Sequence, residues 1–261
     1  MPIEYKKRLS DCLKALSDRV VNEYDDTLVT GITWDSRMVN PGDVFFAMVG
    51  DNFNGHQFIP AAMDRGASAV VGTRPLVEVE VPYVQLTEDD RLALAKFSAA
   101  FYDYPSHSLV VIGITGTDGK TTTTNLVYHI LNTAGIKVGM ISSVNALIGD
   151  QALNTGFHVT TPASPDIQRY LAKMRDAGLT HVVLETTSHG LDQKRVSEVD
   201  YDLVAVTNVT HEHLDYHRSY QAYLQTKGLL FEGLSMERAG EKPFSRLAVL
   251  NKDDESYKYL D

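Results

Sequence analysis

Residues 108–133 constrain the fold more than any other part of the chain. An unbroken apolar run, Ser108-Leu-Val-Val-Ile-Gly113, leads through Ile114-Thr-Gly116-Thr-Asp-Gly119-Lys120-Thr121-Thr122 into a helical pattern that reaches Thr133. A strand that is apolar without alternation is covered on both faces, as interior strands of helix-wrapped parallel sheets are. Similar runs recur at Val138 to Ile141, His181 to Leu184, Leu203 to Thr207 and Leu247 to Leu250, with helical stretches at 121–133, 165–177 and 220–234 between them. That alternation predicts an α/β domain built on a parallel sheet.

Upstream, Leu9, Leu13 and Leu16 recur at helical spacing and predict a docking helix over 5–16. Strands are expected at 43–49, 68–72 and 82–86 and helices at 56–65 and 91–104, the last ending where Pro105 disfavours helical geometry in the residue before it. A chain of 261 residues suits two domains. We place them at 1–105, a small N-terminal α/β domain, and 106–261, a parallel-sheet domain of phosphate-loop type. The last strand pattern and the stretch 253–260 run straight into the chain end, so the second domain is expected to be incomplete at its C-terminal end.

The segment between the first buried strand and its helix reads as a phosphate loop. Glycines let the backbone curl so that N–H groups point at an anion, the helix start adds its positive end, and Lys120 supplies a point charge for outer phosphates. Gly116, Thr117, Asp118, Gly119, Lys120, Thr121 and Thr122 are the candidate nucleotide contacts, with the Thr121 hydroxyl directed at Mg²⁺. The match to G-x-x-x-x-G-K-[ST] is off by one residue, since Ile114 stands where the first glycine belongs. The competing interpretation is a glycine-rich turn carrying a solvated lysine.

Two further clusters follow apolar strands, at the sheet edge where open α/β folds bind ligands. In Val182-Val-Leu-Glu185-Thr-Thr-Ser-His189-Gly190, Glu185 is a hard oxygen donor suited to Mg²⁺, or else the cap of a following helix. In Thr207-Asn-Val-Thr-His211-Glu212-His213-Leu-Asp215-Tyr-His217, the histidines suit a metal or proton-transfer role; one functional histidine with solvated neighbours at His211 and His217 is the plainer reading. Lys227 falls in a helical pattern and by periodicity alone is a solvated helix lysine.

Composition narrows the function. Twenty-four Lys+Arg against 34 Asp+Glu give a net charge of -10, the wrong sign for collecting nucleic-acid phosphates. Cys12 is the only cysteine, so neither an internal disulfide nor a thiolate metal cage can form, which points to a reducing compartment. No apolar run approaches the roughly 20 residues of a membrane span, and the start lacks a signal-peptide core. A cytoplasmic protein with no membrane or nucleic-acid partner is expected.

Taken together, Thr115-Gly-Thr-Asp-Gly-Lys-Thr-Thr122, Glu185-Thr-Thr-Ser-His-Gly-Leu191 with Arg195, and Thr207 to His217 resemble the Mur ligases of peptidoglycan synthesis, nearest to their tripeptide-synthetase (MurE) branch. Trp34-Asp-Ser-Arg37, Pro41-Gly-Asp-Val-Phe-Phe-Ala47 and Asn54-Gly55 resemble the family's opening motifs. The resemblance implies an ATP-dependent amide ligase that adds a diamino acid, meso-diaminopimelate or L-lysine, to UDP-N-acetylmuramoyl-L-alanyl-D-glutamate through an acyl phosphate. It implies a UDP-sugar-binding role for 1–105 and an ATP-binding role for 106–261.

By the same resemblance Thr121, Glu185 and His213 hold magnesium, and Lys227 is carbamylated so that its new carboxylate joins them. Lys120, Lys227 and His213 are the implied catalytic residues. Ser36, Asp51, Asn52, Phe53, Thr160, Thr161, Thr187, Gln193 and Arg195 are the implied contacts to the uridine and muramoyl portions, while Asp35 and Arg37 form either a ligand contact or an ion pair in a turn. Asp118 stands where the family commonly carries asparagine. The family's third, C-terminal domain has no counterpart in the chain, which is therefore expected to be inactive alone. Alternatives are a non-catalytic module that binds the UDP-muramoyl peptide or a nucleotide, and a ligase of the folylpolyglutamate type.

Overall fold

The structure, a computed structural model, describes residues 4–50, 53–75, 79–87, 90–149, 151–154, 161–210, 214–235, 242 and 245–261. The chain divides into two compact units, Met1–Asp103 and Tyr104–Asp261.

In the first unit, β1 (Lys7–Arg8) pairs antiparallel with β2 (Leu28–Val29), and β3 (Gly31–Thr33), β4 (Asp43–Ala47), β5 (Ala69–Gly72) and β6 (Tyr83–Gln85) form a parallel sheet in that order. Helices α1 (Leu9–Leu13), α2 (Ile59–Asp64) and α3 (Asp90–Phe101) complete it. Every residue of β4 is buried, as an interior strand with helices over both faces requires. Its side chains alternate: Phe45 packs with Ile59 and Ala62 of α2, and Phe46 meets Phe97 of α3 edge-on at 5.2 Å.

The helix expected over 5–16 is shorter than its pattern. The backbone of Lys7 and Arg8 is committed to β2, and Leu9 N donates to Thr27 O at 2.9 Å, so the helix begins at Leu9 and gives way to a 3-10 turn at Lys14–Leu16. The burial expectation survives this change, with Leu9, Leu13 and Leu16 all in the core. Helix α3 likewise stops at Phe101, three residues before Tyr104, which has positive φ.

The second unit contains β7 (Val110–Thr115), α4 (Lys120–Thr133), β8 (Val138–Ile141), β9 (Asn145–Ile148), β10 (Gln151–Asn154), α5 (Ser164–Asp176), β11 (His181–Glu185), α6 (Ser188–Asp192), β12 (Leu203–Val206), α7 (Leu214–His217), α8 (Tyr220–Ser235), β13 (Leu247–Val249) and α9 (Tyr257–Leu260). Its sheet runs β10-β9-β8-β11-β7-β12-β13. The five strands from β8 to β13 in that order are parallel, and the hairpin β9–β10 adds an antiparallel margin. This is the parallel-sheet architecture expected from the alternating pattern.

Strand order and register position the site. The chain leaves β7 toward β8 on one side and leaves β12 toward β13 on the other, so the crevice between β7 and β12 is a switch point at the carboxyl edge. Glu185 pairs with Ile114 and Val206 with Thr115, which brings the loops after β11, β7 and β12 side by side. At the opposite edge a buried ionic group ties the strand starts together. Asp202 accepts from Val111 N and Lys242 Nζ, both at 2.8 Å; Lys242 Nζ also donates to Leu109 O at 2.7 Å, and Arg246 pairs with Asp200.

Candidate functional site

The loop between β7 and α4 has a shape that its glycines permit. Gly116 sits at φ 146°, and a Cβ there would fall 1.9 Å from Thr207 Oγ1. Gly119, at φ 78°, is the N-cap of α4 and has no side chain to bond the first-turn amides, so that helix start is open to an outside acceptor. Gly113 lies inside β7, where the Tyr201 ring occupies the space a side chain would need. The loop glycines are thus Gly116 and Gly119, which accounts for the offset from the general phosphate-loop pattern. Burial pushes the Tyr201 phenol well above its usual range; its hydroxyl lies 3.0 Å from Thr186 Oγ1.

The segment after β12 braces the loop. Thr117 N donates to Asn208 O at 2.8 Å, Asp118 N to Asn208 Oδ1 at 3.0 Å, and Thr207 Oγ1 to Asp118 O at 2.6 Å. Thr117 and Asp118 therefore spend their amides on the protein, and the Asp118 and Thr122 side chains are exposed. Lys120 Nζ folds over the loop to Thr117 O at 2.6 Å. Sequence reasoning missed the bracing by Thr207 and Asn208, although a polar pair directly after a buried strand is a visible signal.

Thr121 and Glu185 meet at the sheet edge. Thr121 Oγ1 donates to Glu185 Oε1 at 2.9 Å, Ser143 Oγ donates to the same oxygen at 2.9 Å, and Ser143 N donates to Oε2 at 3.0 Å. Glu185 is 1% exposed. Its alternative role as a helix cap falls to Thr187, whose Oγ1 accepts from Gly190 N at 3.1 Å at the start of α6. Ser143 is a third residue of this cluster that no sequence pattern marked.

The donor set is one carboxylate and two hydroxyls, all hard oxygens. It fits Mg²⁺, which is commonly held through one or two carboxylates and leaves other positions to water and phosphate. Among the described residues there is no group of three or more His, Cys, Asp or Glu that could hold a metal. His213, with His211 and Glu212, lies outside the described residues, as do Asp51, Asn52 and Thr160.

Lys227 is not the solvated helix lysine of its periodicity. It is fully buried on α8, donates to Gly116 O at 2.6 Å and stands 4.5 Å from the centroid of the Tyr223 ring. His217 is not solvated either; it is 7% exposed, its ring 4.8 Å from that of Tyr216 and 5.2 Å from that of Tyr223.

A polar group adjoins the Glu185 cluster. Thr161 Oγ1 lies 2.9 Å from Thr187 Oγ1, Arg195 donates to Thr161 O at 2.5 Å and to Gln193 Oε1 at 2.6 Å, and Gln193 reaches toward Tyr216. Four of the expected substrate contacts, Thr161, Thr187, Gln193 and Arg195, are thus one connected network. In the first unit Ser36 opens a 3-10 turn, Phe53 is 49% exposed, and Asp35 binds Arg37 Nη2 at 2.7 Å, the turn ion pair.

Comparison with known proteins shows the family of the chain. Residues 28–102 match the model described as Mur ligase family, catalytic domain, and residues 114–261 that of the Mur ligase middle domain. The UDP-N-acetylmuramoyl-L-alanyl-D-glutamate--2,6-diaminopimelate ligase of Geobacillus thermodenitrificans is 43% identical over 234 residues, covering 88% of this chain and 46% of that protein. The UDP-N-acetylmuramyl-tripeptide synthetase of Roseiflexus sp. is 37% identical over 260 residues, covering 97% and 51%. A solved structure of a diaminopimelate ligase of the same name superposes with a TM-score of 0.74 at 23% identity, covering all of this chain and 49% of that one, a likeness of fold. The chain spans about half the length of the curated relatives it matches.

Proposed function

This chain belongs to the Mur ligase family, and from that premise we propose that it carries the UDP-muramoyl-peptide and ATP sites of a peptidoglycan-precursor ligase of the tripeptide-synthetase branch. The observation that carries the reading is the meeting of Thr121 and Glu185 beside an uncapped helix start and Lys120. In this reading the D-glutamate side-chain carboxylate of UDP-N-acetylmuramoyl-L-alanyl-D-glutamate attacks the γ-phosphorus of ATP. An O–P bond forms, the β,γ-bridging bond breaks and ADP leaves. The free amine of meso-diaminopimelate or L-lysine then attacks the acyl carbon, phosphate departs with the electron pair of the C–O bond, and the attacking nitrogen loses a proton.

Two anions must meet in the first step, so the residues' task is to offset charge and hold the reactants in line. Lys120 supplies one positive charge, and the start of α4 adds the equivalent of about half a charge. Magnesium, when bound, would supply further charge compensation to the phosphates. Thr121, which donates a hydrogen bond to Glu185, and Glu185 itself are the residues that would hold that ion. Arg195, held by Gln193 and Thr161, has a guanidinium fixed for a carboxylate or pyrophosphate of the substrate.

Lys227 becomes the carbamate of the family in this reading, and His213 a magnesium ligand. Complete burial of the Lys227 amine next to the phosphate loop supports it. The chain incubated with ¹³C-bicarbonate is expected to show a carbamate carbon resonance that disappears in Lys227→Ala; no such resonance in the wild type would remove this part. The substrate assignment is tested by calorimetry. Saturable binding of UDP-N-acetylmuramoyl-L-alanyl-D-glutamate that UDP-N-acetylglucosamine does not match supports it, and equal affinity for both contradicts it.

A further inference from the structure

We propose that Tyr223 is a positioning residue that sets the shape of the phosphate loop, an inference that rests on the nucleotide-binding reading of that loop. Two side chains one turn apart on α8 hold consecutive loop residues. The Tyr223 hydroxyl lies 3.2 Å from Thr117 Oγ1, and Lys227 Nζ donates to Gly116 O at 2.6 Å. The two grips lie side by side, with Lys227 Nζ 4.5 Å from the Tyr223 ring centroid. Thr117 Oγ1 also accepts from Thr210 N at 2.9 Å, so the contact with Tyr223 joins α8 to the loops after both β7 and β12.

The site is dry: Lys227 is fully buried, Tyr223 is 1% exposed and Thr117 is 4% exposed. A hydrogen bond there has no water to replace it, which raises the cost of leaving either partner unmet. The loop needs such a brace. Gly116 and Gly119 let it take the required backbone angles, and the same freedom lets it take others. A loop that is competent for only part of the time binds its ligand more weakly by that fraction. Tyr223 acts through Thr117, without contact to the nucleotide.

Tyr223→Phe removes the hydroxyl and keeps the ring over Lys227. In the 261-residue chain, amide hydrogen exchange across 114–121 is expected to speed up roughly fivefold, with no change across 181–185, and the Mg-ADP dissociation constant to rise by a similar factor. Thr117→Val breaks the same contact from its other end and also removes the acceptor of Thr210 N, so it is expected to speed exchange at least as much, also if Tyr223→Phe fails to fold; the double variant should not exceed Thr117→Val. Wild-type loop exchange in Tyr223→Phe, or in Thr117→Val where only that variant folds, overturns the proposal, and so do additive effects in the double variant. If the wild type binds no Mg-ADP, the nucleotide reading fails, while the exchange measurement still decides whether Tyr223 positions the loop.

Discussion

Thr121 Oγ1 stands 2.9 Å from Glu185 Oε1 although 64 positions separate the two residues in the chain. Helix α4 brings one and the end of β11 brings the other, and Ser143 completes the group from the segment after β8. Three separate returns of the chain to one sheet edge thus place a carboxylate and two hydroxyls beside the start of α4. A surface turn carrying a solvated lysine has no reason to bury an acid in this way.

Glu185→Gln keeps the shape of this group and removes its charge. Mg-ADP affinity is expected to fall about 10- to 100-fold, while ADP measured with a chelator present changes little. Equal losses with and without magnesium would show that Glu185 serves the fold and not an ion. Titration calorimetry in the two buffers distinguishes these outcomes.

Asp202 anchors the opposite edge of the sheet. Asp202→Ala leaves the Val111 amide and the Lys242 ammonium, 7% exposed at its side chain, without their shared carboxylate. Asp200, 3.5 Å from the same ammonium, offsets part of that loss, so the cost is expected near the lower end of a broken buried pair, about 3 kcal/mol. Urea denaturation followed by circular dichroism measures it. The double variant Asp202→Ala, Lys242→Met is expected to lose less than the sum of the two single ones, and strict additivity would contradict the pairing.

Cys12 reports on the first unit. It is fully buried on α1, and burial pushes its thiol up to about 12, so near pH 8 the reactive thiolate is scarce. An aromatic disulfide reagent is expected to label the chain only as the first unit unfolds, with a labelling midpoint in urea that follows loss of its secondary structure. Stoichiometric labelling of the native chain within minutes would contradict the burial.

Most of the second unit is legible in the sequence, because strands covered on both faces must be continuously apolar and the helices between them must be amphipathic. The segments 138–141, 181–184 and 203–207 each lie within a residue of an observed strand. The hairpin β9–β10 is not legible: Asn145-Ala-Leu-Ile and Gln151-Ala-Leu-Asn are short, carry few β-branched residues, and take their register from each other. Strands β2 and β3, of two and three residues, fall below any periodic signal.

The site divides in the same way. Gly116, Lys120, Thr121 and Glu185 announce themselves by following apolar strands, where side chains reach a sheet edge. Ser143 and Tyr223 are ordinary residues until the fold brings them to partners 42 and 106 positions away. Lys227 is the clearest case. Helical periodicity assigns it to a surface because it counts hydrophobicity, whereas its burial is decided by a carbonyl at Gly116 and a ring one turn back.

The central claim is that the loop from Gly116 to Thr121 binds a magnesium-bound nucleotide. Calorimetric titration of the chain with Mg-ADP tests it most directly, beside Lys120→Ala with its thermal midpoint recorded as a control. Saturable one-to-one binding that weakens at least about tenfold in a folded Lys120→Ala is the expected result. Binding that is absent in the wild type, or unchanged by loss of the Lys120 ammonium, would contradict it.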